Sequence, residues 1–394
     1  MNIQYANRTK KLKASEIREL LKLTEKPEII SFAGGLPAPE LFPVDKIAEA
    51  TNKVLNEKGQ VALQYASTDG YPMLREIILN ERVKPTGVNC TISNIMLTNG
   101  SQQALEFSAK LFINEGDTIV VESPSYLGAI NAFLPYQPNF LEIPMDENGM
   151  IVEELEKALE SGANVKMIYT IPEFQNPSGI TMSVERRKRL TEVAAKYHIP
   201  IIEDSPYGEL RFEGEKLPSI KSLDKSGYVI NLGTFSKTFC PGLRIGWIVA
   251  EEEIIQKYLL IKQGADLQCN TLSQLIAAEF MTTNNLDEHI DKIITVYRKR
   301  RDLMIDSMKK YFPKEVKFTY PSGGLFTWVE LKEELDTKKI AEEALKENVA
   351  FVPGASFFAN GGRTNCFRLN YSNMNEEKIV EGIKRLGKVL AKYY

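Results

Sequence analysis

Histidine is nearly missing from this chain, and its scarcity removes several chemistries together. Only His198 and His289 occur among 394 residues, poor material for a histidine-rich metal site or a His-based catalytic triad. His198 precedes a strand-like run and His289 sits in a charged helical pattern, so structural or solvated roles are expected of both. Cysteine is also sparse: Cys90, Cys240, Cys269 and Cys366 lie far apart and form no CxxC pair, which argues against a disulfide framework and a thiolate zinc site. No run approaches the roughly 20 apolar residues of a membrane span. The N-terminal MNIQYANRTKKLKASEIRELLKL lacks the apolar core of a secretory signal. Lys+Arg 49 against Asp+Glu 52 leaves a net charge of −3, with no surplus to attract nucleic acid or an anionic membrane. A reduced, cytoplasmic protein without a metal centre is expected.

The length suggests roughly two to three domains and leaves room for a deep site. From about Ala48 to Glu279, helical patterns alternate with short β-branched runs: Ile95–Thr98, Thr118–Val121, Met167–Thr170, Pro200–Ile202, Tyr228–Asn231 and Ile245–Val249. Such alternation marks an α/β domain with a mainly parallel sheet. Between Ser183 and Tyr197 a Ser cap, Glu185 in the first turn and Leu190, Val193, Ala194 and Tyr197 at helical spacing predict a crossover helix. Near Leu286 the composition changes to a long charged helix followed by FTYPSGGLFTWVEL, which reads as strand, turn, strand. The expected division is an N-terminal arm with a helix over Ser15–Leu23 (1–40) lying with the small domain, a large domain (41–285) and a smaller α+β domain (286–394).

Segments just after strands matter most, because ligands of open α/β sheets bind at the strands' carboxyl ends. In LTNGSQQALEF, Gly100 permits a tight turn and Ser101 and Gln102 open a helix, whose free N–H groups and dipole suit a phosphate; an ordinary Ser cap is the plain alternative. PIIEDSPYGEL puts Asp204 at a strand end with Tyr207 three residues on. A carboxylate there can accept from a ring N–H and a phenol can donate to an oxyanion, although a turn former or a metal or ribose ligand fits as well. In YVINLGTFSKTFCPGLRIGW a strand runs into Ser236 and Lys237, with Arg244 seven residues later. Lysine alone forms a Schiff base with an aldehyde, and Gly233, Thr234, Pro241 and Gly242 do not resemble the surroundings of a solvated surface lysine.

Together these segments resemble the class I/II aminotransferases of pyridoxal 5'-phosphate (PLP) fold type I, the aspartate aminotransferase-like α/β fold, and within them the 2-aminoadipate and kynurenine aminotransferase group. The resemblance runs from SFAGGLPAPELFP to CFRLNYS. It implies that Lys237 carries PLP as a Schiff base, that Asp204 pairs with the ring nitrogen, that Asn176 and Tyr207 bond the cofactor's phenolic oxygen and that Tyr126 stacks on the ring. It implies phosphate binding by Ser101, Gln102, Thr234, Ser236 and Arg244, with Tyr65 reaching the phosphate of a neighbouring subunit in a homodimer. Arg368 would hold the substrate α-carboxylate and Gly35 would let the backbone approach substrate. For Arg18 two readings stand: a reader of a distal carboxylate, or an exposed helical arginine balancing Glu16 or Glu19. Thr234 replaces the usual Ser, and Cys240 stands where Ala, Ser or Gly is common; it is expected to pack as a small hydrophobe, with oxidation sensitivity a second reading.

The expected reaction moves an amino group from an L-amino acid (2-aminoadipate, glutamate, or an aromatic or branched donor) to a 2-oxo acid such as 2-oxoglutarate. A β-lyase, decarboxylase or acyl-condensing enzyme would keep the same lysine and aspartate. A transcription regulator with an aminotransferase-like effector domain needs a winged-helix module, for which about forty leading residues are too few. A nucleotide-dependent dehydrogenase lacks its motif, since neither GxGxxG after a first strand nor GxxxxGK(S/T) occurs.

Overall fold

Eight strands between Ile95 and Val249 build one sheet: β1 (Ile95–Thr98), β2 (Thr118–Ser123), β3 (Asn139–Asp146), β4 (Gly149–Met150), β5 (Val165–Thr170), β6 (Ile201–Asp204), β7 (Val229–Thr234) and β8 (Gly246–Val249). These come from a computed structural model that describes residues 3–9 and 28–394. The spatial order is β1-β8-β7-β6-β5-β2-β3-β4. Pairings from β3 through β2, β5 and β6 to β7 are parallel, whereas β8 runs antiparallel between β7 and β1. The mainly parallel α/β sheet expected from the alternation is therefore present. Strand β6 is buried on both faces, and in β5 only Lys166 is exposed, as parallel strands covered by helices require. The sequence pattern does not announce β3: NFLEIPMD is half-exposed and mixes Glu142, Pro144 and Asp146 with its apolar residues.

The antiparallel course of β8 has a direct consequence for the site. All parallel strands bring their last residues to the carboxyl edge, while β8 brings its first, so Arg244 arrives there beside the ends of β1 and β7.

The helices over the sheet are placed by local signals. Helix α1 (Ser101–Phe112) opens immediately after the turn that ends β1. Helix α2 (Val184–Tyr197) joins β5 to β6, with Ser183 Oγ accepting from the Arg186 N–H and His198 ending it in the left-handed region at φ 55°. Leu190, Val193 and Ala194 are buried beneath it. Helix α3 (Glu252–Ala265) follows β8.

After α4 (Leu286–Tyr311) comes an antiparallel four-stranded sheet of β9 (Lys317–Phe318), β10 (Phe326–Glu330), β11 (Val352–Pro353) and β12 (Cys366–Asn370), ordered β9-β10-β12-β11. The N-terminal segment leans on this part of the chain. Ile30–Ser31 pairs in parallel with Val349–Ala350, the Phe32 N–H donates to Ala350 O at 2.8 Å and Phe32 O accepts from the Asn370 N–H at 2.9 Å. The helix expected over Ser15–Leu23 lies outside the described residues.

Helix α2 separates the worth of a cap from that of core burial. Leu190→Ala, at a fully buried position, is expected to cost about 3 kcal/mol; Ser183→Ala is expected to cost about 1 kcal/mol. Urea denaturation of both variants tests this, and equal losses would contradict the packing assigned to Leu190.

Candidate active site

At the turn after β1, Gly100 has φ 73° and a Cβ there would lie 2.5 Å from Arg244 Nη2. Only glycine accepts both the conformation and the approach. A Cβ on Gly246, at the start of β8, would lie 2.7 Å from the carbonyl carbon of Gly100, so the two segments touch backbone to backbone. The opening N–H groups of α1 have no intrahelical acceptor, and the helix dipole makes that end positive. Gln102 commits its side-chain amide to Gly128 O at 2.7 Å, which leaves its main chain for a ligand. Thr234 Oγ1 lies 3.0 Å from Ser236 Oγ and accepts from the Ser236 N–H at 3.1 Å. Arg244 donates to Asn99 O at 3.1 Å and Pro241 O at 3.3 Å. Ser101, Ser236, Arg244 and the α1 terminus thus surround one electropositive cup.

Lys237 follows the cup, its Nζ donating to Gly35 O at 2.8 Å. Burial, reinforced by the Arg368 and Arg244 charges and opposed by Asp204, lowers its amine to about 8. Gly35 is tightly framed, since a Cβ would sit 2.9 Å from the Phe326 ring.

At the end of β6, Asp204 Oδ2 accepts from the Tyr169 hydroxyl at 3.0 Å. Its other oxygen, Oδ1, is buried without a partner. Burial raises the carboxyl to about 7, against the Tyr169 hydrogen bond and the Lys237 charge. Asn176 Nδ2 donates to the Tyr207 hydroxyl at 3.4 Å, and burial raises the phenols of both Tyr207 and Tyr126. Arg368, on β12, is only 2% exposed. Its guanidinium donates to Asn176 Oδ1 at 2.8 Å and Ala33 O at 2.7 Å and stacks 4.1 Å from the Phe326 centroid. Its Nε has no partner, and no carboxylate among the described residues pairs with the guanidinium. Burial lowers it to about 10.

Twelve of the fourteen residues singled out in the sequence line one cleft of about 260 Å³: Gly35, Ser101, Gln102, Tyr126, Asn176, Asp204, Tyr207, Thr234, Ser236, Lys237, Arg244 and Arg368. Tyr65 does not; it is 78% exposed in the loop after Val44–Ala62. Arg18 lies outside the described residues.

Sequence reasoning missed three contributors. Tyr169 reads as a core residue of β5, yet its hydroxyl reaches Asp204. Phe326 reads as part of a strand, yet its ring meets Tyr207 edge-on at 6.0 Å and lies under Arg368. Glu122, fully buried at the end of β2, accepts from Thr170 Oγ1 at 2.5 Å and Gln175 Nε2 at 3.0 Å, and so braces the loop bearing Asn176. Gln175 beside Asn176 in EFQNPSG was the one available signal. Cys240 packs against the cluster containing Phe235 and Phe239, and burial pushes its thiol up to about 11, which favours the small-hydrophobe reading over a reactive thiolate.

The site fits pyridoxal phosphate on its own geometry. The unpartnered Asp204 Oδ1 calls for a donor such as a ring N–H, the cup calls for a phosphate, and a buried amine of lowered basicity stands between them.

Comparison with known proteins agrees. The family model for aminotransferase class I and II matches residues 28–386. An aromatic-amino-acid aminotransferase of Thermococcus litoralis is 50% identical over 383 residues, covering 96% of this chain and 92% of that protein. A crystal structure of Pyrococcus horikoshii kynurenine aminotransferase in complex with PMP superposes with TM-score 0.95 at 44% identity, over 99% of this chain and 97% of that one. An α-aminoadipate aminotransferase of Thermus thermophilus, complexed with N-(5'-phosphopyridoxyl)-L-leucine, gives TM-score 0.91 at 41% identity, over 98% and 97%. On the match over most of its length and on the cleft described above, this chain belongs to the class I and II aminotransferases, is aspartate aminotransferase-like in fold, and takes pyridoxal 5'-phosphate as its cofactor.

Proposed function

We propose that the enzyme accepts both acidic donors, glutamate or 2-aminoadipate, and aromatic or branched ones, with 2-oxoglutarate as the amino acceptor. The observation that carries a carboxylate substrate is Arg368, a buried guanidinium facing the cleft without a carboxylate of its own. A planar fork held by Asn176 and Ala33 suits an α-carboxylate. Breadth on the side-chain side is supported by the relatives, which are named for aromatic, kynurenine and aminoadipate substrates.

The cleft residues divide the tasks of this reading among them. Pyridoxal phosphate, when bound, supplies an aldehyde that captures an amine and a protonated ring that draws electron density from Cα. Asp204 Oδ1 keeps the ring nitrogen protonated, while Tyr207 and Asn176 hydrogen-bond the phenolic oxygen and Tyr126 covers the ring face. Ser101, the Gln102 main chain, Thr234, Ser236 and Arg244 hold the phosphate. Arg368 orients the substrate, with Gly35 allowing close approach. Lys237 is the covalent anchor and, once released, the base that takes the Cα proton and returns it. Tyr65 serves a neighbouring copy, which makes a homodimer the active unit, and Arg18 reads a distal carboxylate. The division into an arm (1–40), a large domain (41–285) and a small domain (286–394), and a cytoplasmic location, belong to the same reading. Among the described residues no helix is long and apolar enough to cross a membrane, and no His/Cys/Asp/Glu group could hold a metal ion.

Single-turnover reaction with L-glutamate, L-2-aminoadipate and L-phenylalanine is expected to convert bound cofactor to its amine form with release of the 2-oxo acid. Lys237→Ala should fold but lose both turnover and the lysine modification left by borohydride reduction. No oxo acid from any donor would refute the assignment.

Cofactor uptake should follow the Lys237 amine, since only the neutral form attacks an aldehyde. With the group lowered to about 8, the uptake rate of apoenzyme is expected to level off above that pH and to fall about tenfold per unit below it. Stopped-flow absorbance between pH 6 and 9 measures this; a midpoint near 10 would contradict the buried, cation-flanked amine.

Arg368→Gln is expected to raise KM for every amino donor by about a hundredfold. Steady-state kinetics across the donor panel check it, and an effect confined to acidic donors would assign Arg368 to the side chain instead.

A further inference from the structure

Behind the phosphate cup lies a lysine that the proposed chemistry does not use. Lys262, on α3, is fully buried, and its Nζ donates to Gln103 Oε1 at 2.9 Å and Asp266 Oδ1 at 2.9 Å. Asp266 Oδ2 in turn accepts from Asn99 Nδ2 at 2.6 Å and Gln103 Nε2 at 2.6 Å, and Gln103 Oε1 accepts from the Asn99 N–H at 3.0 Å. Three groups of Asn99 are therefore tied down: its main-chain N–H by Gln103, its side-chain NH2 by Asp266, and its carbonyl by Arg244. Asn99 is the residue before Gly100, so the pair holds the turn from behind while the cup opens in front.

A second branch leaves the same pair. Gln268 N–H donates to Asp266 O at 2.8 Å. Its side-chain oxygen accepts from the Ala66 N–H and its amide donates to Thr271 Oγ1 at 3.0 Å, which in turn donates to Gln64 O at 3.1 Å. The segment so held, Gln64–Ala66, carries Tyr65.

We propose that Lys262 is a positioning residue for the cofactor phosphate, fixing through Asp266 both the Asn99–Ser101 turn and the segment that presents Tyr65. The proposal rests on the phosphate reading of the cup. Removing the buried amine would leave Asp266 Oδ1 and Gln103 Oε1 short of a donor, and an unsatisfied buried network no longer holds the turn in one position.

The test compares Lys262→Met with Lys221→Met in the holoenzyme. Lys221 is also buried and ion-paired, with Glu251 at 3.0 Å, but its network does not reach the cup, so it reports general destabilisation. Lys262→Met is expected to weaken pyridoxal phosphate binding about tenfold or more, to shift the bound phosphate's 31P resonance, and to leave kcat at saturating cofactor within a few-fold. Lys221→Met should keep both the affinity and the resonance of the native protein. In the double variant Lys262→Met/Tyr65→Phe, the loss of affinity should fall short of the sum of the single losses. Native affinity and 31P shift in Lys262→Met, or losses matched by Lys221→Met, would overturn the proposal. Strictly additive losses in the double variant would overturn its Tyr65 arm. Should the native protein itself fail to bind the cofactor, the phosphate reading falls and takes the role of Lys262 with it, an outcome distinct from a native protein that binds and a Lys262→Met variant that binds equally well.

Discussion

Three cationic side chains, Lys237, Arg244 and Arg368, converge on the carboxyl edge of the sheet around a single carboxylate, Asp204. The arrangement is electrostatically incomplete by itself: Arg368 is buried without a counter-charge, Arg244 spends its donors on main-chain carbonyls, and Asp204 keeps a buried oxygen with no partner. A buried charge left unpaired costs several kcal/mol in most settings. In the function proposed above, the missing charges are those of a cofactor phosphate, a protonated ring and a substrate carboxylate.

Most of the remaining structure near the edge holds that imbalance in place. Three other carboxyl groups near the edge are committed to donors of their own. Glu122 is spent on Thr170 and Gln175, and Glu203 on the N–H groups of Ile220 and Lys221. Asp266 is spent on Lys262, Asn99 and Gln103. For Glu122 and Asp266 the donors also brace a loop of the site, at Gln175 and at Asn99, so those hydrogen bonds help to fix its walls. The antiparallel course of β8 contributes in another way, since it delivers Arg244 and the bare backbone of Gly246 against the turn at Gly100.

Much of this was legible in the chain. The six strand runs, the Ser183 cap and the α2 periodicity are local signals, and their residues form those elements because packing reinforces the local preference. Twelve of the residues singled out by the motifs also line one cleft. Strand β3 escaped because half-exposed strands carry mixed composition. Tyr169, Phe326 and Lys262 escaped for a different reason: each lies within a regular element whose periodicity accounts for it as core or surface, and nothing nearby marks the partner it meets across the fold.

By itself, then, the sequence determined which elements form and which candidate residues meet at one edge, because turn glycines, caps and hydrophobic period act over a few neighbours. Only the tertiary structure decided what each group experiences. Lys237 is an ordinary amine until burial and two guanidinium groups lower it, Arg368 an ordinary arginine until the arm at Ala33 and the loop at Asn176 enclose it, and Lys262 a helix lysine until α3 packs behind the cup. Desolvation and pairing depend on atoms brought together from distant parts of the chain, and no local pattern encodes them.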